Sequence, residues 1–323
     1  MMLNYQRIHG GPDALGAAQF DFSTNSNACG PCPAALAAVQ GADATRYPDG
    51  SYTALRIRLG AMHGVDAQRI VVAASASEFI FRITALALRQ GAKTVSLPPH
   101  SYGDYAHAAA AYDLTATDTP GNAELVWACE PSSPLGTQLV ALTRGSHFTV
   151  LDRAYEPLRL SGSPSLSDTA LENMWQLFSP NKALGLTGVR AAYAIAPLNS
   201  EADIDAMHQL CPSWPLGAHG VAMLSAWTQA DVQAWLAESL ARLWQWKIQQ
   251  IALCESFGWT VLPSLANFFV CRAEIDLCAL SQHGIKLRDC ASFGLPGHIR
   301  LGVQPPAAQD ALHNAWQQIK GTT

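Results

Sequence analysis

A lysine, a serine, two glycines and an arginine crowd one short run, Phe178-Ser179-Pro180-Asn181-Lys182-Ala183-Leu184-Gly185-Leu186-Thr187-Gly188-Val189-Arg190. A lysine that forms a Schiff base must spend part of its time unprotonated, which burial and neighbouring cations favour. Ser179 offers a hydroxyl and Arg190 a guanidinium fork, a pairing suited to a dianionic phosphate. Taken alone, the same run reads as a surface lysine in a Gly-containing loop. What the rest of the chain brings to the same place decides between the two.

A carboxylate is the next requirement. Asp152, closely followed by Tyr155, ends an apolar segment well upstream of Lys182. A carboxylate at a strand end can keep a pyridine nitrogen protonated, and a protonated ring draws electrons from a neighbouring carbanion. On its own Asp152 would pass for a turn residue. Beside Lys182, Ser179 and Arg190 it completes a coherent set.

These residues need a scaffold, and the apolar pattern supplies one. Short buried strands are expected at Ile70–Ala73, Lys93–Leu97, Leu125–Cys129, His147–Leu151 and Val189–Ala196, with the apolar Trp175–Phe178 leading into the lysine run. Helices are expected between them, from Glu78 to Arg89 and from Asp104 to Tyr112, with earlier ones over 34–40 and Tyr52–His63. Such alternation predicts an α/β fold whose large domain has a mostly parallel sheet between helices. Ligands of such sheets sit outside the carboxyl ends of the strands. Ser75-Ala76-Ser77-Glu78, Tyr102, Ser133, Asp152 and Tyr155 all fall there. The predicted organisation is an irregular arm over 1–33, draped over a body built by the rest, and a large domain over 34–221. A long connecting helix over 222–257, whose tryptophans serve packing, then leads to a small α+β C-terminal domain over 258–323.

On these motifs the chain resembles the fold type I aminotransferases of the histidinol-phosphate aminotransferase branch, over nearly its whole length. The resemblance implies pyridoxal 5'-phosphate as cofactor, with Lys182 as its Schiff-base lysine and Ser179 and Arg190 on its phosphate. It implies that Asp152 pairs with the pyridine nitrogen, that Tyr155 bonds the phenolic oxygen and that Tyr102 stacks on the ring. The backbone at Ser75, Ala76 and Ser77 would cradle the phosphate from a helix N-terminus. Tyr47, in Arg46-Tyr47-Pro48, would reach the cofactor phosphate of a partner subunit, so a homodimer is implied. Arg300 would grip a substrate carboxylate, with Arg288 in the same pocket. Ser133 stands where the family usually has asparagine, Ser75 where a glycine is usual, and Asn181 in place of a small or hydroxyl residue.

The segment His9-Gly10-Gly11, with Asp21-Phe22-Ser23-Thr24-Asn25-Ser26-Asn27 after it, looks like the threonine-phosphate decarboxylases of cobalamin biosynthesis. That likeness implies decarboxylation of L-threonine O-3-phosphate to aminopropanol phosphate, with His9, Asn25 and Asn27 on the substrate phosphate. The alternative reaction is transamination of the histidinol-phosphate type. A degenerate homologue that binds cofactor without turnover is the third reading, and the intact Lys182, Asp152 and Arg190 speak against it.

Composition excludes other classes. The 323 residues are 49% hydrophobic and 14% charged, with a net charge of −5 and pI near 6.0, giving no sign of a nucleic-acid partner. No apolar run reaches the roughly 18 residues of a membrane span, and the polar N-terminus is unlike a signal peptide. The eight scattered cysteines suit a reducing cytoplasm. Cys29-Gly30-Pro31-Cys32 has redox spacing but follows a loop-like segment, and reads as a structural Gly-Pro loop. No second pair or His cluster suggests a metal.

Overall fold

The protein is described from a computed structural model over residues 9–14 and 16–321. A short strand β1 (Phe20–Asp21) is followed by α1 (Pro33–Gln40) and α2 (Thr53–His63). Then come β2 (Ile70–Ala73), α3 (Ala76–Arg89), β3 (Thr94–Ser96), α4 (Gly103–Ala111), β4 (Thr115–Ala116), β5 (Leu125–Cys129) and β6 (Phe148–Asp152). A single-turn α5 (Asp168–Leu171) leads to β7 (Trp175–Phe178) and β8 (Ala192–Ile195). The seven strands β2 to β8 form one sheet in the order β2-β8-β7-β6-β5-β3-β4. Only β8 is reversed: it pairs antiparallel with β2 and β7, while the other pairings are parallel. Both faces are covered, so Ile70 and Val72 enter one core while Val71 and Ala73 enter the other.

The reversal of β8 has a direct use. Six strands deliver their carboxyl ends to one edge, and the reversed strand delivers its beginning there. Arg190, just ahead of β8, thereby reaches the edge where Lys182 follows β7.

Beyond the sheet lie α6 (Glu201–Gln209), α7 (Ala218–Trp227) and α8 (Ala230–Ser256). The long helix expected over 222–257 is therefore two. Thr228 caps α7, its hydroxyl donating to the Ser225 carbonyl, and Gln229 turns extended before α8. α7 packs on α1, alongside the large sheet. Of the tryptophans expected to pack, Trp227 is buried and Trp235 and Trp246 partly so, but Trp244 is exposed.

A second, antiparallel sheet combines β9 (Thr260–Val261), β10 (Phe268–Arg272), β12 (Arg288–Asp289) and β13 (His298–Gly302) in the order β12-β13-β10-β9. The helices α9 (Leu277–Gln282) and α10 (Pro306–Gly321) accompany it, and β11 (Ile285–Lys286) pairs in parallel with β1. This pairing corrects the expectation of a draped arm. Phe22 is fully buried in the core, its N–H donating to the Lys286 carbonyl and its carbonyl accepting from the Gly302 N–H. A Cβ on Gly302 would stand 2.7 Å from the Thr24 carbonyl oxygen, so glycine is required for the arm to lie there. Among the described residues no helix is long and apolar enough to cross a membrane. Phe22→Ala should therefore lower unfolding free energy by about 3–5 kcal/mol, the range for truncating a buried phenylalanine, as measured by chemical denaturation of the apo protein.

Candidate active site

The strand ends, the arm and the second sheet enclose a cavity of about 1090 Å³. Lys182 lies on its wall, half-buried, with its Nζ 5.4 Å from the centre of the Tyr155 ring. The arm fixes the backbone of this loop. Asn27 N–H donates to the Lys182 carbonyl (2.9 Å), Asn27 Nδ2 to the Ala183 carbonyl (3.0 Å) and Cys32 N–H to the Leu184 carbonyl (2.8 Å). Gly185 has φ +67°, and a Cβ there would lie 2.6 Å from the Gly30 carbonyl oxygen. The Cys29–Cys32 segment is thus a structural clamp. All eight thiols are free.

Asp152, at the carboxyl end of β6, is only 5% exposed. Its Oδ2 accepts from the Tyr105 hydroxyl at 2.6 Å and its Oδ1 from the Ala154 N–H at 2.8 Å. Burial pushes the carboxyl above its usual range, while these two donors and the charge of Lys182 oppose the rise. A carboxylate so placed favours a further cation against it. Tyr155, also buried, accepts from Asn25 Nδ2 at 3.2 Å and packs edge-on against Phe268. Ser133 is buried on the same wall.

The other end of the cavity suits an anion. Ser75 caps α3, its hydroxyl accepting from the Glu78 N–H, so that side chain is occupied; Ala76 and Ser77 line the cavity instead. Ser77 Oγ and the Tyr102 hydroxyl are 3.2 Å apart. Ser179 donates to Asn181 Oδ1 at 2.8 Å, which accounts for Asn181 before the lysine. Arg190 lines the cavity and forms no ion pair among the described residues.

Arg288 and Arg300 enter from the second sheet as directly paired residues of β12 and β13, each about one-twentieth exposed (5% and 6%). Like charges opposite one another destabilise a strand pair. Ser292 and the Asp289 carbonyl accept from Arg288, the Ser23 carbonyl accepts from Arg300, and the Phe293 ring faces both guanidiniums at 4.8 and 5.6 Å. The Arg300 Nε is buried without a hydrogen-bond partner among the described residues. Two buried guanidiniums side by side on the cavity wall make a pocket suited to an anion.

Three expected contacts divide. His9 and Asn25 line the cavity; Asn27 does not, because its amide serves the lysine loop. Tyr47 stacks on Trp214 at 4.6 Å, is 79% exposed and stays outside the cavity of its own chain. Sequence reasoning overlooked Tyr105, Ser23 and Phe293. Tyr105 could have been found three residues after Tyr102, on the same helical face.

A buried carboxylate, a lysine and a helix N-terminus at one sheet edge are the set a pyridoxal-phosphate-dependent enzyme needs. Residues 113–319 match the family model of aminotransferase class I and II. The chain belongs to that family, and its cofactor is pyridoxal 5'-phosphate. It is similar to the histidinol-phosphate aminotransferase 1 of Thiobacillus denitrificans, 29% identical over 90% of this chain and 83% of the other. The histidinol-phosphate aminotransferase of Ruegeria pomeroyi is 26% identical over 92% and 90%. Among solved structures, the histidinol-phosphate aminotransferase from Sinorhizobium meliloti, in complex with pyridoxal-5'-phosphate, has a TM-score of 0.77 at 22% identity, covering 92% of this chain and 90% of the other. The L-threonine-O-3-phosphate decarboxylase from Porphyromonas gingivalis has a TM-score of 0.73 at 19% identity, covering 93% and 99%. Both share the fold.

The anion pocket makes a measurable claim. In the cofactor-loaded protein, inorganic phosphate should raise the melting temperature, with stabilisation of about 2.7 kcal/mol at a hundred times its dissociation constant. Arg300→Leu should remove most of that increment while leaving cofactor absorbance in place.

Proposed function

We propose that the protein is a pyridoxal-phosphate-dependent aminotransferase of the histidinol-phosphate type, acting on a small amine that carries a phosphate. The observation that carries this reading is the buried Arg288–Arg300 pair facing the cavity beside Lys182. Transamination of this kind needs one pocket to receive a phosphate monoester in one half-reaction and the carboxylate of an amino donor in the other. Two guanidiniums serve both anions. The names of the sequence relatives support the same choice.

The donor set fits the cofactor. Asp152 would hold its ring nitrogen, Tyr155 its phenolic oxygen, with Ser133 beside it, and Tyr102 its ring face. Ser179, Arg190 and the N–H groups of Ala76 and Ser77 would hold its phosphate. Ser75 contributes by capping that helix rather than by touching the ligand. When bound, the cofactor supplies an electron sink for charge developing at the substrate α-carbon. Lys182 then takes the α-proton, and the arginines fix which substituent stands perpendicular to the ring. Exposed Tyr47 belongs to this proposal as the residue of a homodimer that approaches the partner's phosphate end.

Decarboxylation of L-threonine O-3-phosphate is the second reading. It is favoured by His9 and Asn25, which bring the arm to the cavity. A substrate bearing carboxylate and phosphate together could engage the arginines and the arm at once. In that case the α-carboxylate would leave as carbon dioxide, and Lys182 would return a proton to the α-carbon.

The purified, cofactor-loaded protein decides between them. With histidinol phosphate and 2-oxoglutarate, glutamate formation is the expected outcome. Carbon dioxide released from L-threonine O-3-phosphate without any keto acid would replace this reading with the second. Absence of both, with cofactor bound, would overturn each.

A further inference from the structure

Tyr105 lines the cavity and meets two residues assigned above to the cofactor ring. It lies at the third position of α4, one helical step from Tyr102, which precedes that helix. Its ring meets Tyr102 edge-on at 5.9 Å. On the other side it stacks on Trp127 of β5 at 4.4 Å and 12°. Its hydroxyl donates to Asp152 Oδ2 at 2.6 Å, within the range of charge-assisted O–H···O⁻ bonds. The side chain is fully buried, and burial together with the Asp152 charge drives its own ionisation well above the ordinary phenol range. The phenol therefore stays a donor.

The groups facing Asp152 come from three further elements. Cys129 of β5 pairs with it across the sheet and is itself held neutral by burial. Lys182 contributes charge from its loop, and the Ala154 N–H occupies the other carboxylate oxygen. In the loaded protein Lys182 is committed to the cofactor. Tyr105 is then the only side-chain donor among these groups that opposes the desolvation of Asp152.

We propose that Tyr105 is a positioning residue that keeps Asp152 ionised and in register with the ring-stacking wall, and so sets how strongly the protein holds a protonated cofactor ring. The inference rests on the assignment of Asp152 to the ring nitrogen, and holds for transamination and decarboxylation alike. The ring of Tyr105, clamped by Trp127, fixes the hydroxyl; the hydroxyl fixes the carboxylate.

Tyr105→Phe removes one oxygen and retains the aromatic stack, and the melting curve of the apo variant serves as the fold control. Cofactor affinity is read by absorbance titration of apo protein. Loss of one charge-assisted hydrogen bond should weaken it on the order of tenfold. The acid limb of the bound cofactor's absorbance against pH should move to higher pH, because Asp152 without its donor takes up a proton more readily. In an Asp152→Asn background the same substitution should change affinity less than twofold. An unaltered affinity and acid limb in Tyr105→Phe, or a full effect persisting in the Asp152→Asn background, would overturn the role of Tyr105. If Asp152→Asn alone leaves cofactor binding intact, the underlying assignment of Asp152 fails instead.

Discussion

Holding a carboxylate out of water at the floor of an open cavity is the demand around which this structure is arranged. An isolated buried charge costs several kcal/mol, so Asp152 persists only with partners in place. They arrive from separate parts of the chain: Tyr105 from α4, the Ala154 N–H from the turn after β6, Lys182 from the loop after β7. The parallel sheet lets this happen, because neighbouring strands end side by side and the segments that follow converge.

The arm is the second organising element. It is short of apolar residues, yet one of them, Phe22, is fully buried, and its backbone bridges β11 and β13. The same segment holds the lysine loop through Asn27 and Cys32 and meets Tyr155 through Asn25. One strip of chain thus sets the position of the reactive lysine, of a cofactor-facing phenol and, through the Ser23 carbonyl, of Arg300. The arm is a wall of the site as much as its cover.

Much of this was legible beforehand. The strand ends at Ala73, Cys129 and Asp152 follow from short apolar runs that stop at polar or Pro-containing turns, so the grouping of Ser77, Tyr102, Ser133, Asp152 and Tyr155 could be read directly. The direction of β8 could not, since Ala192–Ile195 is equally apolar either way and direction depends on its partners. The break at Thr228–Gln229 carries neither proline nor glycine, and so left no mark in the helical pattern. Phe22 was hidden because its burial depends on β11, more than 260 residues away. Asn27 shows the limit for polar residues: spacing brought it near the site, but which oxygen its amide meets is a matter of geometry.

The parallel pair β1–β11 also bears on how the chain comes to be folded. Phe20 pairs with Ile285, so the first strand finds its neighbour only once synthesis has passed that residue. Until then Phe22 is left in water, and the lysine loop lacks whatever hold the arm gains from that anchor. Parallel, long-separation contacts of this kind form late, because loop closure must precede any stabilising contact. A ribosome-bound chain carrying the whole seven-stranded sheet would therefore still be without Arg288, Arg300 and a seated arm. Competence for chemistry arrives only after β11 and β13 have been made, and until then Phe20 and Phe22 both lack the partners that cover them.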